Sequence, residues 1–270
     1  MRGKSGAAPT DALQALLPDI RAYLQMDEAL EGKFALARGS LAGTVRVGNA
    51  YYGMYPGLGR AVEAFGACFP AVTVSLLPGI TQELLEKLDR GEIDLAITTL
   101  REEKTQYHWK KIGEDEMVAW VPAGRLEDDG KTAFPIRDFA SLPYIGLYPG
   151  MDTDNRRILK RAGVAPKVRM STYDSYAALT MVEAGLGVAM NSRLNSAFQE
   201  GSVRVLPLVP KTVISIGMAW KTDLTPAARE FLSFCEARLS GVQNSDRTAR
   251  ADREYTDPGL PSKGKDGLSI

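Results

Sequence analysis

The sequence predicts an α/β protein of two lobes, with a long helix ahead of the first lobe. Three observations carry this reading. Short apolar runs alternate with helical patterns from Thr44 onward, the order expected of a parallel, right-handed wound sheet. The same alternation starts afresh near Tyr144. A long strand pattern, Val213–Trp220, lies late enough to carry the chain back to the first lobe.

Residues 1–9 read as a loose, flexible leader of small and basic residues. From Thr10 a helix is expected, covering 10–38. Leu13, Leu16, Ile20, Tyr23, Asp27, Leu30 and Phe34 are spaced alternately by three and four, a heptad seam with one polar intruder. Pro18 is expected to bend this helix or to open its second half. The narrow stripe suits pairing with a partner helix through residues 10–36; docking on the chain's own domain is the competing reading.

Thr44–Gly48 reads as a strand, followed by a helix with Leu58, Val62, Phe65 and Phe69 that stops at Pro70. Val72–Leu77 is a strand, and Thr81 is expected to cap a helix with Leu84, Leu85 and Leu88 that ends at Gly91. Ile93–Ile97 is almost continuously apolar, as suits a strand covered on both faces. Met117–Val121 is a further strand, followed by a polar loop from Gly124 to Lys131. The second half brings a strand at Tyr144–Tyr148, a helix at Thr153–Ala162, a short strand at Val168–Met170, and a helix from Asp174 to Ala184 closed by Gly185. Strands at Gly187–Met190 and Val203–Leu206 follow. Thr225-Pro226 is a cap with proline at the first helical position, and the helix it opens carries Ala228, Phe231, Cys235 and Leu239. Beyond Ser240, residues 241–270 lose periodicity and are expected to be a disordered tail.

Composition narrows the function. The 270 residues carry 33 Lys plus Arg against 33 Asp plus Glu, so no global field favours nucleic acid or a membrane surface. Duplex binding needs clustered basic contacts, and no segment supplies them. Polar residues interrupt any signal-like apolar stretch near the start, and no run of roughly eighteen apolar residues occurs. A cytoplasmic protein with no membrane partner is expected. Cys68 and Cys235 lie in apolar helical stretches and read as buried small hydrophobes. The single histidine, His108, reads as a surface or edge residue; it excludes a multi-histidine metal site and leaves no Ser–His–Asp arrangement. Gly185-Leu-Gly187 follows a helix rather than a strand, so it is a helix stop and not a dinucleotide fingerprint. No enzyme and no cofactor is therefore expected.

Four motifs occur in order: Leu41-Ala-Gly-Thr-Val-Arg-Val-Gly48, Leu88-Asp-Arg-Gly-Glu-Ile-Asp-Leu-Ala-Ile97, Val118-Ala-Trp-Val-Pro-Ala-Gly124 and Met181-Val-Glu-Ala-Gly-Leu-Gly-Val-Ala189. Together they resemble the effector-binding domain of LysR-type transcriptional regulators over roughly residues 10–240, linker helix included. The resemblance implies a type 2 periplasmic-binding-protein fold, in which two Rossmann-like lobes are joined by two crossover strands around a ligand cleft. The crossovers would fall near Met117–Val121 and Val213–Trp220. Lobe I would comprise 43–120 plus 217–240, and lobe II 121–216. Such regulators carry a winged helix-turn-helix before the linker helix, and this chain, starting at that helix, is expected to lack it. Contact with DNA would then run only through that missing N-terminal domain. Asn191-Ser192 stands where the family often has a proline, and Arg125-Leu126 where a His-Pro pair is common.

In open α/β sheets, ligands sit at the carboxyl ends of strands, against helix N-termini. Following each strand to its end gives Asn49, Ala50, Tyr51, Tyr52, Thr81, Thr98, Thr99, Tyr148, Asp152, Thr153 and Thr172 as candidate ligand-binding residues. The resemblance points to the same loops, with Thr81 and the residues just beyond Gly48 at its usual contact positions. Each has a plainer alternative. Thr81, Asp152 and Thr153 read as helix caps, with or without ligand contact, and Thr98 and Thr99 as a strand end. Neighbours in extended chain point oppositely, so only one of Tyr51 and Tyr52 is expected to line the cleft. Hydroxyls, amides and helix ends without a carboxylate cluster, with Arg101 or Arg156 as the only cationic candidates, suggest a small carboxylate or polar metabolite. The expected function is an effector-sensing regulatory domain that acts by lobe closure within an oligomer. An extracytoplasmic solute receptor and an enzyme on the same scaffold are the alternatives, and both lack their marks here, a signal sequence and a catalytic constellation.

Overall fold

The computed structural model describes residues 2–3, 6–7, 9–99, 106–124, 130–196, 203–221 and 223–239. Within the expected leader, Arg2–Gly3 pairs antiparallel with Gly6–Ala7. The expected tail, Arg101 and Arg125-Leu126 lie outside the described residues.

Helix α1 (Asp11–Ala37) starts where Thr10 accepts a hydrogen bond from the Leu13 N–H at 3.3 Å, and it continues through Pro18 as one element. Its polar flank docks on the body of the protein. Gln25 donates to the Gly91 carbonyl at 2.9 Å, and Arg46 grips the Glu28 carboxylate with bonds of 2.7 and 3.0 Å. Arg21 lies 3.1 Å from Glu92, and Gly32 is buried against Pro226. The apolar seam faces the other way: Leu13, Leu16, Ile20, Tyr23, Leu30 and Phe34 are between 40% and 70% exposed. Both readings of the helix therefore find a face, docking on one side and an unpartnered stripe on the other.

In the first lobe β1 (Gly43–Asn49) lies parallel to β2 (Val72–Pro78) on one side and to β3 (Leu95–Thr98) on the other. Helices α2 (Tyr55–Cys68) and α6 (Pro226–Leu239) pack on one face, where Phe65 meets Phe231 edge-on at 5.0 Å among Val45, Val47, Leu58 and Leu95. Helix α3 (Thr81–Asp89) covers the opposite face with Leu84, Leu85 and Leu88 against Ile93 and Ala96. Coverage of both faces explains why β3 is apolar without alternation.

The sheet then turns antiparallel. Strand β4 (His108–Pro122) is three times the length expected from Met117–Val121, and its first half pairs with the returning strand β10 (Val213–Trp220), which also borders β3. From Met117 onward β4 is flanked instead by β8 (Ala189–Ser192) and β9 (Val203–Val209), both antiparallel to it. The edge is finished by β5 (Phe134–Pro135) on β9, and by a parallel pair, β6 (Pro143–Leu147) and β7 (Lys167–Thr172), joined to the β8 side through a Tyr144–Val188 bridge. Helices α4 (Asp154–Arg161) and α5 (Ser175–Glu183) cover opposite faces. The alternating side chains of β4 serve both: Met117, Ala119 and Val121 pack with Leu159, while Val118 and Trp120 pack with Leu179 and Val182. Two lobes thus share one continuous strand and its returning neighbour.

Three local expectations are corrected. Ile80 occupies the N-cap position of α3, and Thr81 is its first helical residue rather than its cap. Cys68 is exposed, since the end of α2 overhangs the core, whereas Cys235 is fully buried. The parallel winding holds within each lobe, for β1–β3 and for β6–β7, but not where the lobes join, because both crossover strands run against their neighbours. His108 is exposed and stacks on Trp220 at 5.6 Å. No helix among the described residues is long and apolar enough to cross a membrane.

Candidate functional site

The carboxyl ends of β1, β2 and β3 face the ends of β6 and β7 across a cleft. A cavity of about 230 Å³ opens there, lined from the first lobe by Asn49, Ala50, Tyr52, Tyr55, Pro78, Gly79, Ile80 and Glu83, and from the second by Tyr148 and Tyr173. A smaller recess of about 60 Å³ adjoins it, with Tyr51, Thr81, Asp152, Thr153, Ser175 and Asn191 among its walls. Ala50, Ile80 and Tyr148 border both.

Local structure explains how each side chain reaches this place. Asn49 is buried and folds its amide back onto the turn, accepting from the Tyr51 N–H at 3.1 Å and donating to the Tyr51 carbonyl at 2.9 Å. That turn drives Tyr51 into the core, 5% exposed, and leaves Tyr52 in the cleft. Tyr148 follows β6 with a φ of 52°, the left-handed region that a bulky residue enters at a cost of about 1–3 kcal/mol. Thr98 is fully buried and donates to the Thr81 hydroxyl at 2.5 Å, so this pair lies behind the wall of the main cavity. Thr153 caps α4 through the Arg156 N–H at 3.3 Å while facing the recess. Thr172 lines neither space; its hydroxyl accepts from the Asp174 N–H at 3.2 Å.

Three residues of the first lobe, Tyr52, Thr99 and Gln82, make hydrogen bonds across the cleft. The Tyr52 hydroxyl donates to Asp174 at 2.9 Å, and the Tyr52 N–H donates to the Asn195 side-chain oxygen at 2.8 Å. Thr99 donates to Asp154 at 3.2 Å, and Gln82 accepts from the Asp152 N–H at 3.4 Å. Gly53 comes so close to Leu194 that a Cβ would sit 2.3 Å from its carbonyl oxygen.

The electrostatics differ from the sequence expectation. Carboxylates do converge here: Glu83, Asp152, Asp154 and Asp174. Each helix N-terminus facing the cleft already holds one. Glu83 accepts from the Ile80 N–H over a long 3.4 Å at α3, Asp174 accepts from the Ala177 N–H at 2.7 Å at α5, and Asp154 sits in the first turn of α4. Arg157 pairs with Asp154 and lies 3.8 Å from Asp152. Burial, then the bond to Asp174, holds the Tyr52 phenol far above its ordinary range. Burial likewise raises Tyr148; the nearby Asp174 and Glu83 carboxylates add to the rise and a hydrogen bond to Ser175 opposes it.

Tyr55, Glu83, Asp154, Asp174 and Asn195 were not in the candidate set. The signal available for Asp174 was its helix-start position, and for Tyr55 its place one turn beyond Tyr52. Asn191 and Ser192 had registered only as departures from a pattern.

Residues 38–240 match the LysR substrate binding domain family. The chain belongs to that family. The relatives it matches are named as transcriptional regulators. The HTH-type transcriptional regulator ShiR of Corynebacterium glutamicum is 24% identical over 228 residues, covering 82% of this chain and 77% of that protein. The HTH-type transcriptional regulator YybE of Bacillus subtilis is 22% identical over 185 residues, 66% of this chain; the chain spans 62% of that relative's length. Among solved structures, the effector binding domain of QuiR in complex with shikimate has a TM-score of 0.64 at 20% identity, covering 73% of this chain and 96% of that one. The Synechocystis PCC6803 CcmR regulatory domain in complex with 2-PG has a TM-score of 0.65 at 16% identity, over 74% and 98%. These structures share the two-lobed fold.

Proposed function

We propose that this LysR domain senses a small polar metabolite in the interlobe cavity and controls transcription by ligand-biased lobe closure within an oligomer in the cytoplasm. The observation that carries the reading is the cavity itself, walled by Asn49, Ala50 and Tyr52 from one lobe and Tyr148 from the other. A ligand touching both walls binds the closed arrangement better than an open one, and that difference is what shifts a population. The neighbouring complexes with shikimate and 2-PG support a small-molecule occupant. Thr81, Thr98 and Thr99 support the cavity wall from behind, Asp152 and Thr153 border the adjoining recess, and Thr172 acts only through its bond to Asp174.

The lobes, on this proposal, divide as 43–120 plus 217–240 and 121–216. Helix α1 pairs with the same helix of a second copy through its exposed seam, which supplies the oligomer that closure acts on. DNA is read by a winged helix-turn-helix ahead of α1, not by the lobes. A thermal-shift screen against a metabolite library tests the sensor: a ligand at a hundred times its Kd adds about 2.7 kcal/mol. A hit should lose affinity in Tyr52→Ala and Tyr148→Ala. A hit indifferent to both substitutions, or a library with no hit, counts against the cavity as the sensing site.

A further inference from the structure

Resting on that sensor reading, we infer that the cavity is built for an organic cation, a small amine or quaternary ammonium compound. Four tyrosines line it, Tyr52 and Tyr55 from the first lobe and Tyr148 and Tyr173 from the second. They stand as two tilted pairs: Tyr52 and Tyr55 have ring centroids 6.3 Å apart at 52°, and Tyr148 and Tyr173 6.5 Å apart at 74°. All four rings border one space, and a cation within about 6 Å of a ring centroid is attracted by its quadrupole.

Charge points the same way. The one ionisable group other than tyrosine among the described lining residues is Glu83, and none of them is Lys, Arg or His. Asp174 adds a second carboxylate at the rim through its bond with Tyr52. Asp174 lies near both the Tyr52 and Tyr148 hydroxyls, and Glu83 near that of Tyr148. An anion would ordinarily be drawn to helix N-termini. Here the starts of α3 and α5 already carry Glu83 and Asp174, and Arg157 is engaged by Asp154. An incoming carboxylate therefore meets fixed negative charge at both helix starts.

Tyr148 supplies an independent observation. Its left-handed backbone is a conformation seldom taken by a bulky residue, and it sets the ring at the border of both spaces. Size limits the occupant further: about 230 Å³ is below the roughly 300–1,000 Å³ of pockets for drug-sized ligands.

The test uses the full chain and three probes in thermal shift with isothermal titration: choline, its neutral isostere 3,3-dimethyl-1-butanol, and shikimate. Choline should bind saturably, at least about tenfold tighter than the neutral isostere. Glu83→Gln should weaken choline about tenfold while keeping the Ile80 cap, since an amide oxygen still accepts that bond. Tyr173 is 63% exposed, so Tyr173→Leu leaves the fold intact and should weaken choline several-fold, whereas Tyr173→Phe, which keeps the ring, should bind within about twofold of the parent. Equal binding of the neutral isostere overturns the inference. So does tighter shikimate binding that Glu83→Gln improves, and that result leaves the sensor reading standing. Silence from choline, tetramethylammonium and agmatine up to about 10 mM also overturns the inference; if no compound of any charge binds, the sensor reading falls with it.

Discussion

Gly53→Ala offers a direct measurement of how tightly the lobes are held. Gly53 lies in the turn Tyr52–Met54 of the first lobe, and an added Cβ would stand 2.3 Å from the Leu194 oxygen, 2.9 Å from its carbonyl carbon and 3.0 Å from its Cα. All three are backbone atoms, so no rotamer change relieves the clash. Reaching ordinary contact requires the two turns to part by about 1 Å, which stretches the Tyr52 N–H bond to Asn195 from 2.8 Å to beyond hydrogen-bonding range. Overpacking of this kind costs about 1–3 kcal/mol, and the lost hydrogen bond about 0.5–1.5 kcal/mol. Urea denaturation should therefore show Gly53→Ala less stable by ~2–4 kcal/mol. Gly59→Ala is the matched control: it is on the exposed side of α2, a Cβ there meets nothing within 4 Å, and the helix should gain about 0.5–1 kcal/mol. If Gly53→Ala unfolds with the wild type, the lobes are not in contact at this turn and the closed arrangement is refuted.

The remaining predictions concern the long helix and the core. Glu28 titrates below its ordinary value of 4.5 because Arg46 binds its charged form, outweighing burial. Its contribution is therefore present above that value and lost as pH falls through the depressed one, so the stability gap between wild type and Glu28→Gln, at most about 1 kcal/mol at this half-exposed pair, should shrink and then close as pH falls below 4.5. A gap that widens in acid contradicts the pairing. The double substitution Leu16→Asp/Tyr23→Asp should reduce the sedimentation mass to one chain and leave lobe unfolding unchanged within about 0.5 kcal/mol, because both side chains are exposed; a wild type that is already monomeric ends the pairing proposal. Phe65→Ala, which removes a fully buried ring packed on Phe231 and Phe234, should cost about 3–5 kcal/mol by denaturation, and a loss under 1 kcal/mol would displace it from the core.

Much of the architecture was legible because strand and helix periods are local. β1, β2, β3 and their helices follow from apolar spacing and helix stops within about fifty residues. The length of β4 was not legible, since its first half carries adjacent charges, Lys110-Lys111 and Glu114-Asp115, that break strand alternation and find their place only beside the partner strand. Cys68 shows the limit of phase arguments. It continues the Leu58, Ala61, Phe65 stripe by spacing, yet at the last residue of α2 nothing lies above it. In the site, strand ends located Asn49, Tyr52 and Tyr148. Glu83 and Asp174 were missed because what makes them neighbours is the meeting of two lobes about ninety residues apart in sequence. Their charges occupy helix starts that the sequence reading had left bare.

The turn Leu194–Ser196 is where the shared strand and the cleft come together. Asp115, buried on β4, accepts from the Leu194 N–H at 3.0 Å; Trp120, on the same strand, donates to Ser196 at 2.7 Å; and Asn195 accepts from Tyr52 of the cavity wall. Asn195→Ala removes that last bond and its own donation to Asn191 at 3.0 Å, leaving the Tyr52 N–H without this partner at a cost of about 1–3 kcal/mol. Gly53→Ala breaks the same bond by pushing the turn away. The two substitutions therefore share a loss, and the double variant should be less destabilised than their sum by more than about 0.5 kcal/mol. Additive effects would mean that Gly53 acts elsewhere, and that movement at Tyr52 does not reach the shared strand through this turn.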